Sequence, residues 1–82
     1  KLEKWIIARH DSKEENISIE MFSGSKAEIV NLLKEKSESD INADHDAYQK
    51  AYIYEDAEAI FRAVLDFNGY NIMYQAIETS VL

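Results

Sequence analysis

Cysteine and proline are both absent from this chain of 82 residues, glycine occurs twice and tryptophan once. Without cysteine there is no disulfide framework, no thiol catalysis and no thiolate zinc site of the kind that staples many small domains. Long apolar runs are missing too. The longest early one, Trp5-Ile6-Ile7-Ala8, is too short for a signal-peptide core or a membrane span, so the sequence predicts a cytoplasmic protein with no membrane partner. Basic residues are scarce: nine Lys and Arg stand against sixteen acids, giving a net charge of -7. That charge repels phosphate backbones and argues against direct binding of nucleic acid. The two glycines, Gly24 and Gly69, lie apart at turn positions, so no phosphate-cradling loop exists to hold a nucleotide cofactor.

What is present is a folded composition, 46% apolar and 30% charged, in a length that fits one domain spanning residues 1 to 82. The charge is uneven. Residues 1 to 37 hold seven basic and seven acidic side chains, whereas residues 38 to 82 hold two basic and nine acidic ones.

Glu3 to Arg9 is rich in β-branched and aromatic residues, and Asn16 to Ser23 alternates with Ile17, Ile19 and Met21 on one side. These read as two strands joined in an antiparallel hairpin by the polar segment 11 to 15. Ser25 with Glu28 three residues later forms a capping box that starts a helix. Its apolar stripe is Ile29, Leu32, Leu33 and Val30, and it is expected to end near Lys36.

Ser37 to Asp46 is the most polar stretch and reads as a loop. Ala47 to Tyr54 then alternates as a third strand, with Tyr48, Lys50, Tyr52 and Tyr54 on one side. The acids Glu55, Asp56 and Glu58 suit the start of a second helix, where negative charge meets the positive end of the dipole. That helix is predicted over residues 56 to 68, burying Ala57, Ile60, Phe61, Val64, Leu65 and Phe67 and stopped by Asn68-Gly69. A last strand, Tyr70 to Glu78, sets Ile72, Tyr74 and Ala76 against Met73, Gln75 and Ile77. The expected fold is therefore α+β in two layers, ordered β-β-α-β-α-β, with a four-stranded mixed sheet and both helices on one face.

Chemistry-bearing patterns are few. In Asp40-Ile41-Asn42-Ala43-Asp44-His45-Asp46 oxygen ligands recur at every second residue, as in the first half of an EF-hand loop. His45 stands where the turn needs Gly and Ala51 where the bidentate Glu belongs, so no metal site is assigned and weak divalent binding is kept only as a further alternative. His45 between Asp44 and Asp46 resembles a metal or base site in composition, yet adjacent residues rarely converge on one point. His10 ends the first strand with no nucleophile placed beside it. Glu55, Asp56 and Glu58 are read as helix-starting residues and not as paired catalytic acids, so no catalytic residue is assigned and the chain is expected not to be an enzyme.

The tyrosines carry the strongest surface signal. Tyr48, Tyr52 and Tyr54 share a strand side, and Tyr74 and Phe22 are expected to join them as an aromatic interface if the helices cover the opposite face. The leading expectation is a non-enzymatic interaction or regulatory module that pairs with itself, as a homodimer, or with a basic protein. The alternative is a nucleic-acid mimic whose carboxylates at Asp40, Asp44, Asp46, Glu55, Asp56 and Glu58 occupy the basic groove of a DNA-binding enzyme.

Overall fold

A computed structural model of the chain describes residues 2–82. Five strands, β1 (Glu3–Asp11), β2 (Asn16–Gly24), β3 (Tyr48–Ala57), β4 (Ile60–Phe67) and β5 (Tyr70–Glu78), form one sheet in the order β2-β1-β5-β4-β3. Every neighbouring pair is antiparallel. Among the described residues a single α-helix, α1 (Lys26–Ala43), links β2 to β3 and so carries the chain from one edge of the sheet to the other. Among the described residues no helix is long and apolar enough to cross a membrane.

The predicted second helix is corrected to a strand. Over Ile60–Phe67 the residues Phe61, Ala63, Leu65 and Phe67 are buried while those between are half-buried, which is the two-residue period of a sheet. The misreading has a physical origin. The two charged residues of the segment, Arg62 and Asp66, are four apart, a spacing that shares one side in a helix and in a strand alike. Asn68-Gly69 is a hairpin turn joining β4 to β5, with Gly69 at φ +91°, and not a helix stop. Glu58 and Ala59 make the turn before β4, with Ala59 in the left-handed region at φ 60°. The fold is thus β-β-α-β-β-β with five antiparallel strands and one helix, in place of four mixed strands and two helices.

The capping box forms as predicted. Ser25 Oγ accepts from the Glu28 amide at 3.2 Å and the Glu28 carboxylate accepts from the Ser25 amide at 2.8 Å, which holds the Glu28 carboxyl below its ordinary range. The helix runs past Lys36 to Ala43, absorbing most of the predicted polar loop. The continuation is visible in its burial: Ile29, Leu33 and Ser37 are buried at four-residue intervals and Ile41 is partly buried in line with them. The Ser37 hydroxyl finds no hydrogen-bond partner among the described residues.

One helix covers one side of the sheet. Trp5 and Ile7 of β1, Phe61, Ala63, Leu65 and Phe67 of β4, and Ile72, Tyr74 and Ala76 of β5 pack with Ile29 and Leu33 into the core. The Trp5 indole is fully buried, donates to the Gly24 carbonyl at 3.0 Å and lies 5.8 Å from the Phe61 ring. A Cβ at Gly24 would lie 2.7 Å from the Phe22 ring, so a larger residue there has to displace that ring.

Candidate functional site

The strand registers fix which side chains share the opposite, helix-free side of the sheet. Residues paired across antiparallel strands stand on the same face, so rows can be read straight across. One row is Ile17, His10, Met73, Val64 and Tyr52; the next is Ile19, Ala8, Gln75, Arg62 and Tyr54; a third is Met21, Ile6, Ile77 and Ile60. Among the described residues no element covers these rows. Ile17, Ile19 and Met21 are 67%, 69% and 61% exposed, and Tyr52, Tyr54 and Met73 are 46%, 44% and 41% exposed.

The pattern of β2 is the inverse of what a two-layer protein needs. Its alternating apolar residues Ile17, Ile19 and Met21 face solvent, while Ser18, Glu20 and Phe22 face the helix side. The helix-side carboxylate of Glu20 pairs with Lys36 of α1. Apolar side chains gain nothing by this placement in an isolated chain, because burial is what stabilises them.

The charges on the open face are largely matched within it. Arg62 donates from Nε to Asp56 at 2.8 Å and from Nη1 to Gln75 at 3.0 Å. Lys50 stands opposite Asp66 across β3 and β4 and lies 5.6 Å from the centre of the Tyr52 ring. Tyr52 first, and Asp66 after it, hold the Lys50 ammonium more firmly protonated than usual. A shallow depression of about 220 Å³ lies over Ala8, His10, Met73 and Gln75.

The predicted aromatic patch is divided by this geometry. Tyr52 and Tyr54 lie on the open face as expected. Tyr48 does not share their side, because a register shift between Tyr48 and Lys50 places an extra residue in β3 and turns Tyr48 toward Phe67, 6.1 Å away. Phe22 faces the helix side beside Trp5, and Tyr74 is 4% exposed within the core. The signal missed from the sequence was β2: its alternation was legible, but its direction was not.

Tyr74 belongs instead to a polar cluster under the C-terminal half of α1. Its hydroxyl donates to Asp40 Oδ2 at 2.5 Å and accepts from Arg9 Nε at 3.1 Å, while Arg9 Nη2 donates to Asp40 Oδ1 at 2.8 Å. Burial, followed by the bond to Asp40, pushes the Tyr74 phenol well above its ordinary range. Arg9 is held more firmly charged, chiefly by its bonds to Asp40. Nearby, Tyr70 donates to Asp44 at 2.6 Å, which pushes its phenol up to about 12. Asp11 accepts the Lys13 and Glu14 amides at 2.9 and 3.3 Å and closes the β1–β2 turn. The cluster borders a pocket of about 330 Å³. Arg9, Asp40 and Tyr74 face one another, so the cluster clamps the helix to β1 and β5.

The acidic residues singled out in the sequence fall in different places. Asp40 and Asp44 are engaged in that cluster, and Asp56 pairs with Arg62. Asp46 lies in a 3-10 turn, His45–Ala47, and Glu55 and Glu58 are exposed at the end of β3 and in the turn after it. The EF-hand-like stretch is helical through Ala43, so its alternate oxygens fan around the helix. Among the described residues no group of three or more His, Asp or Glu side chains is arranged to hold a metal ion. Glu55, Asp56 and Glu58 start no helix.

Comparison with known proteins gives no match: no family model, no curated protein and no solved structure matches the chain.

Proposed function

We propose that this protein is a non-enzymatic interaction module that docks a protein partner on the uncovered face of its sheet. One observation carries the reading. Six large apolar side chains, Ile17, Ile19, Met21, Met73, Tyr52 and Tyr54, stand at least two-fifths exposed on one continuous face, whereas isolated exposed apolar residues are normal and contiguous patches mark contact sites. The composition of the face supports it further. Aromatic residues, methionine and one arginine are the types enriched at interfaces, and the Asp56, Arg62 and Gln75 network can be buried without stranding a charge. The cytoplasm, expected from the sequence, is the proposed location.

The test is site-specific photo-crosslinking in the native host. A photoreactive phenylalanine analogue at Tyr52 is expected to give discrete protein adducts, and the same analogue at Glu35, exposed on α1, is not. Adducts from Glu35 with none from Tyr52 would move the docking surface to the helix side and sink the reading.

A further inference from the structure

The partner that this face fits best is a second copy of the chain. We infer, resting on the interaction reading above, that two copies pack open face to open face about a two-fold axis running along β5. Three properties of the face point there: its area, its charge and its self-complementary layout.

The area is that of a stable interface. Five strands about 4.8 Å apart, each of about nine residues rising about 3.3 Å, present roughly 700 Å². A standard protein interface takes about 800 Å² from each partner. Pairing along the exposed edge of β2 alone would leave Met73, Val64 and Tyr52 uncovered.

The charge removes the usual objection to self-pairing. A chain of net charge -7 repels its own copy over most surfaces. The acids on the open face are Asp56 and Asp66, each set against a cation of the same face, Arg62 and Lys50. Joining two such faces therefore brings together the least acidic surfaces of both copies and leaves the carboxylates of α1 and of the turns pointing into solvent.

The layout selects the axis. Antiparallel sheets that pack face to face keep their strands within about 30° of one another, and a two-fold contact places residue i on residue j and j on i. A two-fold along the central strand β5 sets β2 of one copy over β3 of the other. Ile17 then meets Tyr52 and Ile19 meets Tyr54, so aliphatic side chains cover rings in both directions. In the same arrangement β4 crosses over β1, bringing Arg62 above Ala8 and its neighbouring depression instead of above its own symmetry mate. Gln75 faces Gln75 on the axis, where two amides can bond each other, and Met73 faces Met73. An axis perpendicular to the strands would stack β4 on β4 and leave the tyrosine column over itself.

Sedimentation equilibrium of the purified chain, at low and high salt, tests the inference together with single substitutions. The wild type is expected at twice its 9.5 kDa at both salt levels, because apolar burial is little screened. Met73→Lys, on the central strand, and Ile19→Lys, at the edge, are each expected to raise the dimer dissociation constant about tenfold or more. Both residues are exposed in the single chain, so circular dichroism and melting should show both variants folded. The axis is read by introduced cysteines, the only thiols in the chain: Met73→Cys is expected to link copy to copy with a short bismaleimide and Glu35→Cys is not. A wild type that stays monomeric through high micromolar concentration overturns self-pairing, while adducts from Tyr52 would still uphold a different partner. A dimer that survives both lysine substitutions places self-association elsewhere and overturns this inference; one that loosens with Ile19→Lys but not with Met73→Lys pairs by the β2 edge and overturns it equally.

Discussion

The two faces of the sheet are built from the same kinds of residue and differ in what lies over them. On the covered side Trp5, Ile7, Leu65 and Ala76 are at or near zero exposure beneath Ile29 and Leu33 of α1. On the open side Ile17, Ile19 and Met73 carry comparable apolar bulk with nothing above them among the described residues. The difference teaches that strand alternation reports an apolar side and not a buried one. A strand pattern by itself cannot distinguish a covered side from an open one, and β2 is the strand in which the two part.

The comparison breaks most sharply at Trp5. Trp5→Ala removes the largest buried side chain together with its bond to Gly24, and is expected to cost about 3–5 kcal/mol, measured as a drop in the denaturant midpoint. Matched truncations of the open face, Ile17→Thr and Ile19→Thr, are expected to change the stability of the dissociated chain by less than about 0.5 kcal/mol. A large loss from the latter pair would mean that the open face is covered within a single chain.

Next in size is the clamp between helix and sheet. Asp40→Ala leaves Arg9 and Tyr74 without their shared acceptor and is expected to cost about 2 kcal/mol, with Asp40→Asn milder because an amide oxygen still accepts from Tyr74. The same clamp gives a pH dependence. Tyr74 and Tyr70 have folded values raised above the value of about 10 for an unfolded tyrosine. Their contribution is therefore complete below about pH 10 and is lost as pH rises through the folded values, Tyr70 giving way near 12. Denaturant midpoints should hold up to about pH 10 and fall above it, and Tyr70→Phe should flatten the fall.

Two smaller changes sharpen the account of α1. Ser25→Ala removes the capping box and should cost about 1 kcal/mol, with faster amide exchange confined to the first turn. Ser37→Ala should do the opposite. The hydroxyl is buried with no partner among the described residues, so its removal is expected to raise stability by about 1 kcal/mol. A loss instead would mean that the hydroxyl bonds within the fold.

These sites also mark what could be read in advance. The first hairpin, the capping box, the third strand and the alternation of β5 were legible because each has a local cause: a turn, a cap or a two-residue period. β4 was not, because an almost wholly apolar octet with Arg62 and Asp66 four apart satisfies both periods, and the paired edges of β3 and β5 decide between them. The last two turns of α1 were missed because their stabilising partners, Arg9 and Tyr74, are 31 and 34 residues from Asp40. Of the predicted interface, Tyr52 and Tyr54 keep their place on the open side. Tyr48 was lost to one extra residue in β3, a one-residue shift being enough to reverse a side chain.

The position of the single tryptophan gives the molecule two separable optical reporters. Trp5 is sealed beneath the helix, so its fluorescence should be blue-shifted in the native chain, move to the red when the core opens and ignore events on the far side of the sheet. Tyr52 and Tyr54 face that far side, and their near-ultraviolet absorption should respond when something settles on it. Concentration-dependent tyrosine spectra over a constant tryptophan signal would thus record assembly without unfolding, in the native sequence and with no label attached.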